Sequence, residues 1–134
     1  MLDPVTYRRT NKTVYSAKYH LIWCPKYRRR VLIAQVETRL KEIIGDVVAT
    51  VGGTVIGLEV MPDHVHLLVE LPPAAHLPAV LQGLKGRSSR LLRQEFPHLR
   101  RLPTLWSRSW FVSTVGGAPL DVVRRYVENQ KQAT

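Results

Sequence analysis

The run Thr54-Val55-Ile56-Gly57-Leu58-Glu59-Val60-Met61-Pro62-Asp63-His64-Val65-His66-Leu67-Leu68-Val69-Glu70-Leu71 decides the fold. Thr54 to Val60 and His64 to Leu71 are β-branched and aliphatic, and Met61-Pro62-Asp63 separates them, so they read as two antiparallel strands joined by a short turn. Successive side chains on a strand point to opposite faces, so His64 and His66 share a face and Val65 turns to the other. Two imidazoles on one face can hold one metal ion.

Upstream, Tyr15, Ala17, Tyr19, Leu21 and Trp23 alternate with their neighbours, predicting a strand from Tyr15 to Cys24 that stops at Pro25. Lys26 to Arg30 reads as a loop or strand end. Val36, Leu40, Ile43, Val47 and Val51 recur at steps of four, three, four and four, the stripe of an amphipathic helix closed by Gly52-Gly53. Downstream, Leu77, Val80, Leu81, Leu84, Leu91, Leu92 and Phe96 give a second helix, with Pro78 tolerated in its first turn and Pro97 beyond its end. Trp110 to Val115 reads as a fourth strand. Gly116-Gly117 then breaks the chain before a last helix spanning about 119–132. The order βαββαβ plus an extra helix predicts an α+β fold of ferredoxin-like or RRM-like type, with helices on one face of a four-stranded antiparallel sheet.

No repeat, low-complexity tract or linker divides the 134 residues, which are expected to form a single domain, 1–134. No apolar run reaches the roughly 18 residues of a membrane span. Residues 1–12 carry no apolar h-region, and Cys24, the one cysteine, excludes an intrachain disulfide, so a cytoplasmic protein is expected. Twenty Lys and Arg against ten Asp and Glu give a net charge of +10, unevenly placed: +7 over 1–33, −4 over 34–70 and +7 over 71–134. Fourteen of the twenty are arginine, whose planar fork suits phosphate and base stacking, which points to nucleic acid as partner rather than to a merely solvated basic surface.

In the last helix Tyr126 and Gln130 stand four apart, about 6 Å between Cβ atoms on one face. A metal held by the Gln130 carbonyl oxygen would have the Tyr126 hydroxyl beside it. With His64 and His66 this makes three neutral ligands and leaves positions for water and phosphate oxygens. A phenol with a pKa of about 10 needs help to attack, and no side chain is an obvious general base. Asp63 and Glu59 are placed to orient an imidazole, or serve simply as turn and strand-end residues. Plainer readings stand beside these: buried, hydrogen-bonded histidines, a core tyrosine between Val123 and Val127, and a solvated amide at Gln130.

The segments Tyr19-His20-Leu21-Ile22-Trp23-Cys24-Pro25-Lys26-Tyr27-Arg28-Arg29, Glu59-Val60-Met61-Pro62-Asp63-His64-Val65-His66-Leu67-Leu68-Val69 and Arg125-Tyr126-Val127-Glu128-Asn129-Gln130 resemble the single-tyrosine HUH transposases of small insertion sequences, the transposase A group. Leu84 to Arg90 and Leu105 to Phe111 are similar to that family too, and the likeness spans nearly the whole chain. The resemblance implies Mg2+ or Mn2+ bound by His64, His66 and Gln130, with Tyr126 as nucleophile on single-stranded DNA, giving a 5′-phosphotyrosine link and a free 3′-hydroxyl. It implies a homodimer in which the tyrosine helix of one subunit can complete the histidine pair of the other. Gly116 and Gly117 fit the hinge such an exchange requires.

The resemblance further implies imperfect DNA hairpins as substrate. Lys26, Arg28, Arg29 and Arg30 of the basic loop and Arg87, Arg90 and Arg93 of the second helix are the candidates for backbone contact, or else a solvated charged surface. Trp106 and Trp110 either stack on bases or pack in the core. Two other functions fit the same sequence: a non-catalytic single-strand-binding module, and a domesticated relative that processes chromosomal palindromes.

Overall fold

A computed structural model describes residues 17–114 and 126–129, together with the backbone of 8–10 and 13–15. Among these, two short strands, β1 (Arg8–Thr10) and β2 (Thr13–Tyr15), pair with each other. The main sheet holds β3 (Lys18–Trp23), β4 (Thr54–Met61), β5 (His64–Glu70) and β6 (Phe111–Thr114) in the order β4-β5-β3-β6, every neighbouring pair antiparallel. Helices α1 (Gln35–Thr50) and α2 (Leu77–Glu95) cross between them. This is the ferredoxin-like topology that the element order implies.

The first strand begins later than the alternation predicts. Residues 13–15 belong to the separate β1–β2 pair, and β3 starts only at Lys18. Period-two alternation marks extended backbone without saying which strand it pairs with, so Tyr15 and Tyr19 look alike in sequence. At the other end Cys24 leaves the ladder and its carbonyl accepts from the Ser107 amide at 2.9 Å, while Pro25 bridges Trp106. Lys26–Arg28 form a 3-10 turn rather than a plain loop.

The faces of the sheet differ. Leu21 and Trp23 of β3 and Val65, Leu67 and Val69 of β5 enter one core with Val36, Leu40, Ile43, Ile44, Val47 and Val48 of α1 and Val80, Leu84 and Leu92 of α2. Ile44 and Val48 widen the expected α1 stripe, as a helix lying flat on a sheet requires. Gly53 ends the turn after α1 because a Cβ there would stand 2.9 Å from the Glu70 carbonyl oxygen, and Gly52 adopts φ 77°. Arg39 clamps the two helices through both Glu95 carboxylate oxygens, at 2.8 and 3.1 Å. Trp106 is buried and donates its indole N–H to Ser88 Oγ at 2.9 Å, so it packs rather than stacking on a ligand. None of the helices described is long and apolar enough to cross a membrane.

Candidate active site on the open face of the sheet

The strand residues pointing away from the helices form a second surface. On β5 these are His64, His66, Leu68 and Glu70, beside Ile22 and His20 on β3. Cross-strand register aligns Phe111, Ile22, His66 and Glu59 in one row over four strands. Tyr126 lies in a helical turn, 126–129, and its ring centroid is 5.6 Å from that of Phe111. The sheet therefore places Tyr126 and the His64/His66 pair on the same face, opposite α1 and α2. Gln130, Gly116, Gly117 and the remainder of the expected helix about 119–132 lie outside the described residues.

The histidines are oriented from behind. His64 Nδ1 lies 2.9 Å from Asp63 Oδ1, a bond in which the imidazole N–H donates and Nε2 keeps its lone pair for a ligand. Asp63 is buried, and although burial works against its ionisation, bonds from His64 and Arg28 outweigh that and hold the carboxyl below its ordinary value. His66 Nδ1 is 3.8 Å from Glu59 Oε1, and the His20 ring meets His66 edge-on at 5.3 Å. Burial, with His20 and then His64 adding to it against Glu59, lowers the His66 pKa and favours the neutral imidazole that metal binding needs. A shallow depression lined by His20, Gly57, Leu58, Glu59, His66 and Leu68 opens beside this pair.

This donor set fits a divalent ion in its chemistry. Two imidazoles with a carboxylate behind one of them are a common metal half-site. Among the described residues no group of three His, Cys, Asp or Glu side chains that could hold a metal ion is found.

Tyr126 is half-buried, and its hydroxyl donates to Ser109 Oγ at 3.4 Å. Burial pushes the phenol up to about 12, more than the Ser109 bond lowers it, so it rests neutral at physiological pH. Lys85 holds the Ser109 segment in place, donating to the Ser107 and Ser109 carbonyls at 2.6 and 2.8 Å with its ammonium 4.6 Å from the Trp110 ring centroid. Ser109 and Lys85 carry no local sequence signal for this role, although both fall in segments, Leu84 to Arg90 and Leu105 to Phe111, that carry the family resemblance.

The basic candidates separate. Arg29, Arg30, Arg87 and Arg90 are exposed, and Lys26 lies 5.5 Å from the Tyr27 ring centroid. The last two arginines belong to the helical layer, across the sheet from the histidines. Arg28 is different from the loop cation that the sequence implies: it turns inward, donating from Nε and Nη2 to Asp63 at 2.9 and 2.6 Å. Arg93 also bonds within the protein, to the Leu102 carbonyl at 2.9 Å. Asp63, by contrast, has the orienting geometry that its position before His64 allows.

The fold is thus a four-stranded antiparallel sheet with a histidine pair and Tyr126 on the face away from α1 and α2, and comparison with known proteins gives the family. The profile described as "Transposase IS200 like" matches residues 13–130. The chain is 38% identical over 130 residues to the ISDra2 transposase TnpA of Deinococcus radiodurans, covering 95% of this chain and 93% of that protein. It is 31% identical over 107 residues to the transposase for insertion sequence element IS200 of Salmonella typhimurium, covering 78% and 70%. A crystal structure of a candidate transposase from Deinococcus radiodurans R1 superposes with a TM-score of 0.84 at 38% identity, covering 94% of this chain and 99% of that one. A REP-associated tyrosine transposase bound to a REP hairpin shares the fold at 15% identity, with a TM-score of 0.55 and coverage of 90% and 68%. The chain belongs to the IS200-like transposase family.

Proposed function

We propose that this transposase cleaves and rejoins single-stranded DNA at insertion-sequence ends through a covalent bond to Tyr126. The observation that carries the reading is the shared open face, with the tyrosine at one end of a sheet row and His66 further along it, and His64 held by Asp63. The Tyr126 oxygen attacks the phosphorus, a new P–O bond forms as the bond to the 3′-oxygen breaks, and the phenolic proton is given up as the 3′-hydroxyl is released. The phosphodiester energy is kept in the 5′-phosphotyrosine, so the reverse attack by another 3′-hydroxyl rejoins strands without ATP.

His64, His66 and Gln130 would hold Mg2+ or Mn2+. When bound, the ion supplies Lewis-acid polarisation of the phosphate and stabilises the charge that develops in the transition state. Ser109 keeps the phenol docked between reactions, and Asp63 keeps the His64 ring turned. The substrate is a single strand carrying an imperfect hairpin, as the hairpin in the REP-associated neighbour supports. Arg29, Arg30, Arg87, Arg90 and Lys26 supply phosphate contacts. The working unit is a homodimer, in which the tyrosine helix either serves the site of its own subunit or, by way of Gly116-Gly117, completes that of the other. The chain acts as one domain, 1–134, in the cytoplasm.

The test is incubation with Mn2+ and a labelled hairpin-containing strand from candidate element ends, followed by denaturing electrophoresis. A covalent adduct that Tyr126→Phe abolishes is expected. Strand binding with no adduct across a panel of such sequences would instead mark a binding module.

A further inference from the structure

We propose that Arg28 is a positioning residue that couples the seating of the Tyr126 turn to the orientation of His64. The inference rests on the reading of Tyr126 as nucleophile and His64 as metal ligand. Its basis is the way one guanidinium and one carboxylate divide their atoms. Arg28 Nε and Nη2 both donate to Asp63 Oδ2, at 2.9 and 2.6 Å. The other carboxylate oxygen, Oδ1, is the acceptor for His64 Nδ1 at 2.9 Å. The remaining arm of the fork, Nη1, donates to the Val127 carbonyl at 3.0 Å and stands 3.9 Å from Glu128 Oε2. A continuous chain of bonds thus runs from the backbone beside Tyr126 to the ring that would hold the metal.

Burial and backbone geometry both single this residue out. The Arg28 side chain is 14% exposed and Asp63 11%, so neither charge is left to water, and each needs the other together with its further partners. Arg29 and Arg30, next in sequence, are exposed. Arg28 points inward because Tyr27 and Arg28 adopt left-handed φ values of 59° and 52°, which residues with side chains rarely do. The Arg28 amide to the Pro25 carbonyl, at 2.8 Å, and the Lys26 amide to the Leu105 carbonyl, at 2.9 Å, hold that bend. An unfavourable backbone turn is thereby maintained at the residue whose side chain joins the two halves of the site. Lysine, a point charge on a flexible stem, cannot bind Asp63 through two nitrogens while reaching Val127.

The coupling makes a specific demand. Among the described residues Arg28 is the bonded link between Asp63 and 126–129, so an effect of Asp63 on that turn is expected to pass through it.

The experiment compares wild type, Arg28→Gln, Arg28→Lys, Asp63→Asn and the Arg28→Gln/Asp63→Asn double variant. Three quantities are read: amide hydrogen exchange at 126–129, Mn2+ affinity by calorimetry, and adduct formation on a labelled hairpin strand as Mn2+ is varied. Arg28→Gln is expected to speed exchange at 126–129, to weaken Mn2+ binding about 10- to 100-fold, and to slow adduct formation at saturating Mn2+ by roughly 100-fold. Arg28→Lys gives no rescue. Asp63→Asn also speeds exchange at 126–129, and the double variant is no worse than the more damaged single. Unchanged exchange at 126–129 in Asp63→Asn, or effects that simply add in the double variant, would overturn the coupling. Should wild type form no adduct, exchange and Mn2+ affinity still decide: their joint movement in Arg28→Gln upholds the coupling while the strand-transfer reading fails. Should Arg28→Gln not fold, Asp63→Asn alone decides by its effect on 126–129.

Discussion

The rings of Phe111 and Tyr126 sit 5.6 Å apart, so the phenol is anchored by its ring, while its hydroxyl makes a long 3.4 Å bond to Ser109. Removing the oxygen should therefore cost chemistry and almost no stability. Tyr126→Phe is expected to abolish adduct formation while its melting temperature stays within about 2 °C of wild type, since surplus effects of one long, half-exposed bond are under about 0.5 kcal/mol. Residual adduct in this variant would assign the nucleophile elsewhere.

His64 Nδ1 stands 2.9 Å from Asp63 Oδ1, closer than His66 Nδ1 stands to Glu59 at 3.8 Å. His64→Ala should reduce Mn2+-dependent cleavage by more than about 100-fold. Its affinity for single-stranded DNA should keep the wild-type salt dependence, because the proposed phosphate contacts lie elsewhere. Filter binding over a salt series, run beside the cleavage assay, separates the two effects. Normal cleavage by this variant would refute the ligand assignment.

The exposed arginines of α2 are expected to affect affinity alone. Arg87→Gln and Arg90→Gln should each lower the salt slope of strand binding by roughly 1. The adduct rate at saturating DNA should not change, since α2 lies across the sheet from His64 and His66. A slope that does not move would leave these side chains merely solvated.

Burial pushes the Lys85 ammonium down to about 8, with Cys24 opposing. The unfolded chain holds this proton to about 10.4, so above pH 8 the unfolded state binds more protons than the folded one. The Lys85 contribution to stability thus increases as pH rises from 8 toward 10 and is lost as pH falls through 8. The melting temperature of wild type minus that of Lys85→Met is expected to grow over that window, with the subtraction removing the opposite trends of Cys24 and Tyr126, both raised to about 12. A flat difference would contradict the assignment.

Ser88 is fully buried and accepts from the Trp106 indole. Ser88→Ala leaves that N–H without its acceptor and should cost about 1–3 kcal/mol. Thermal unfolding is expected roughly 3–10 °C lower.

The sheet and helices were legible because burial imposes period two on Val65, Leu67 and Val69 and a wider stripe on Val36, Leu40, Ile43 and Val47. The β1–β2 pair was not, since alternation through Tyr15 carries no information about pairing partner. His64 and His66 follow from strand parity alone, and Asp63 follows from adjacency. Arg28 reads as one of several cations in a row, because its inward turn depends on a left-handed backbone at Tyr27 and Arg28 that neither residue type favours. Ser109 meets Tyr126, and Lys85 meets Ser109, only after long-range folding, so no local spacing announces them.

Ile22 has no chemistry of its own, yet it sets a length. Lying between Phe111 and His66 in register, it separates them by two inter-strand spacings, about 10 Å. That interval is a fixed gauge: it sets how far the Phe111 ring, against which Tyr126 rests, stands from His66. Register thus ties the aromatic seat of the tyrosine to the histidine pair, and a one-residue slip of β3 would send Ile22 to the helices and abolish that row.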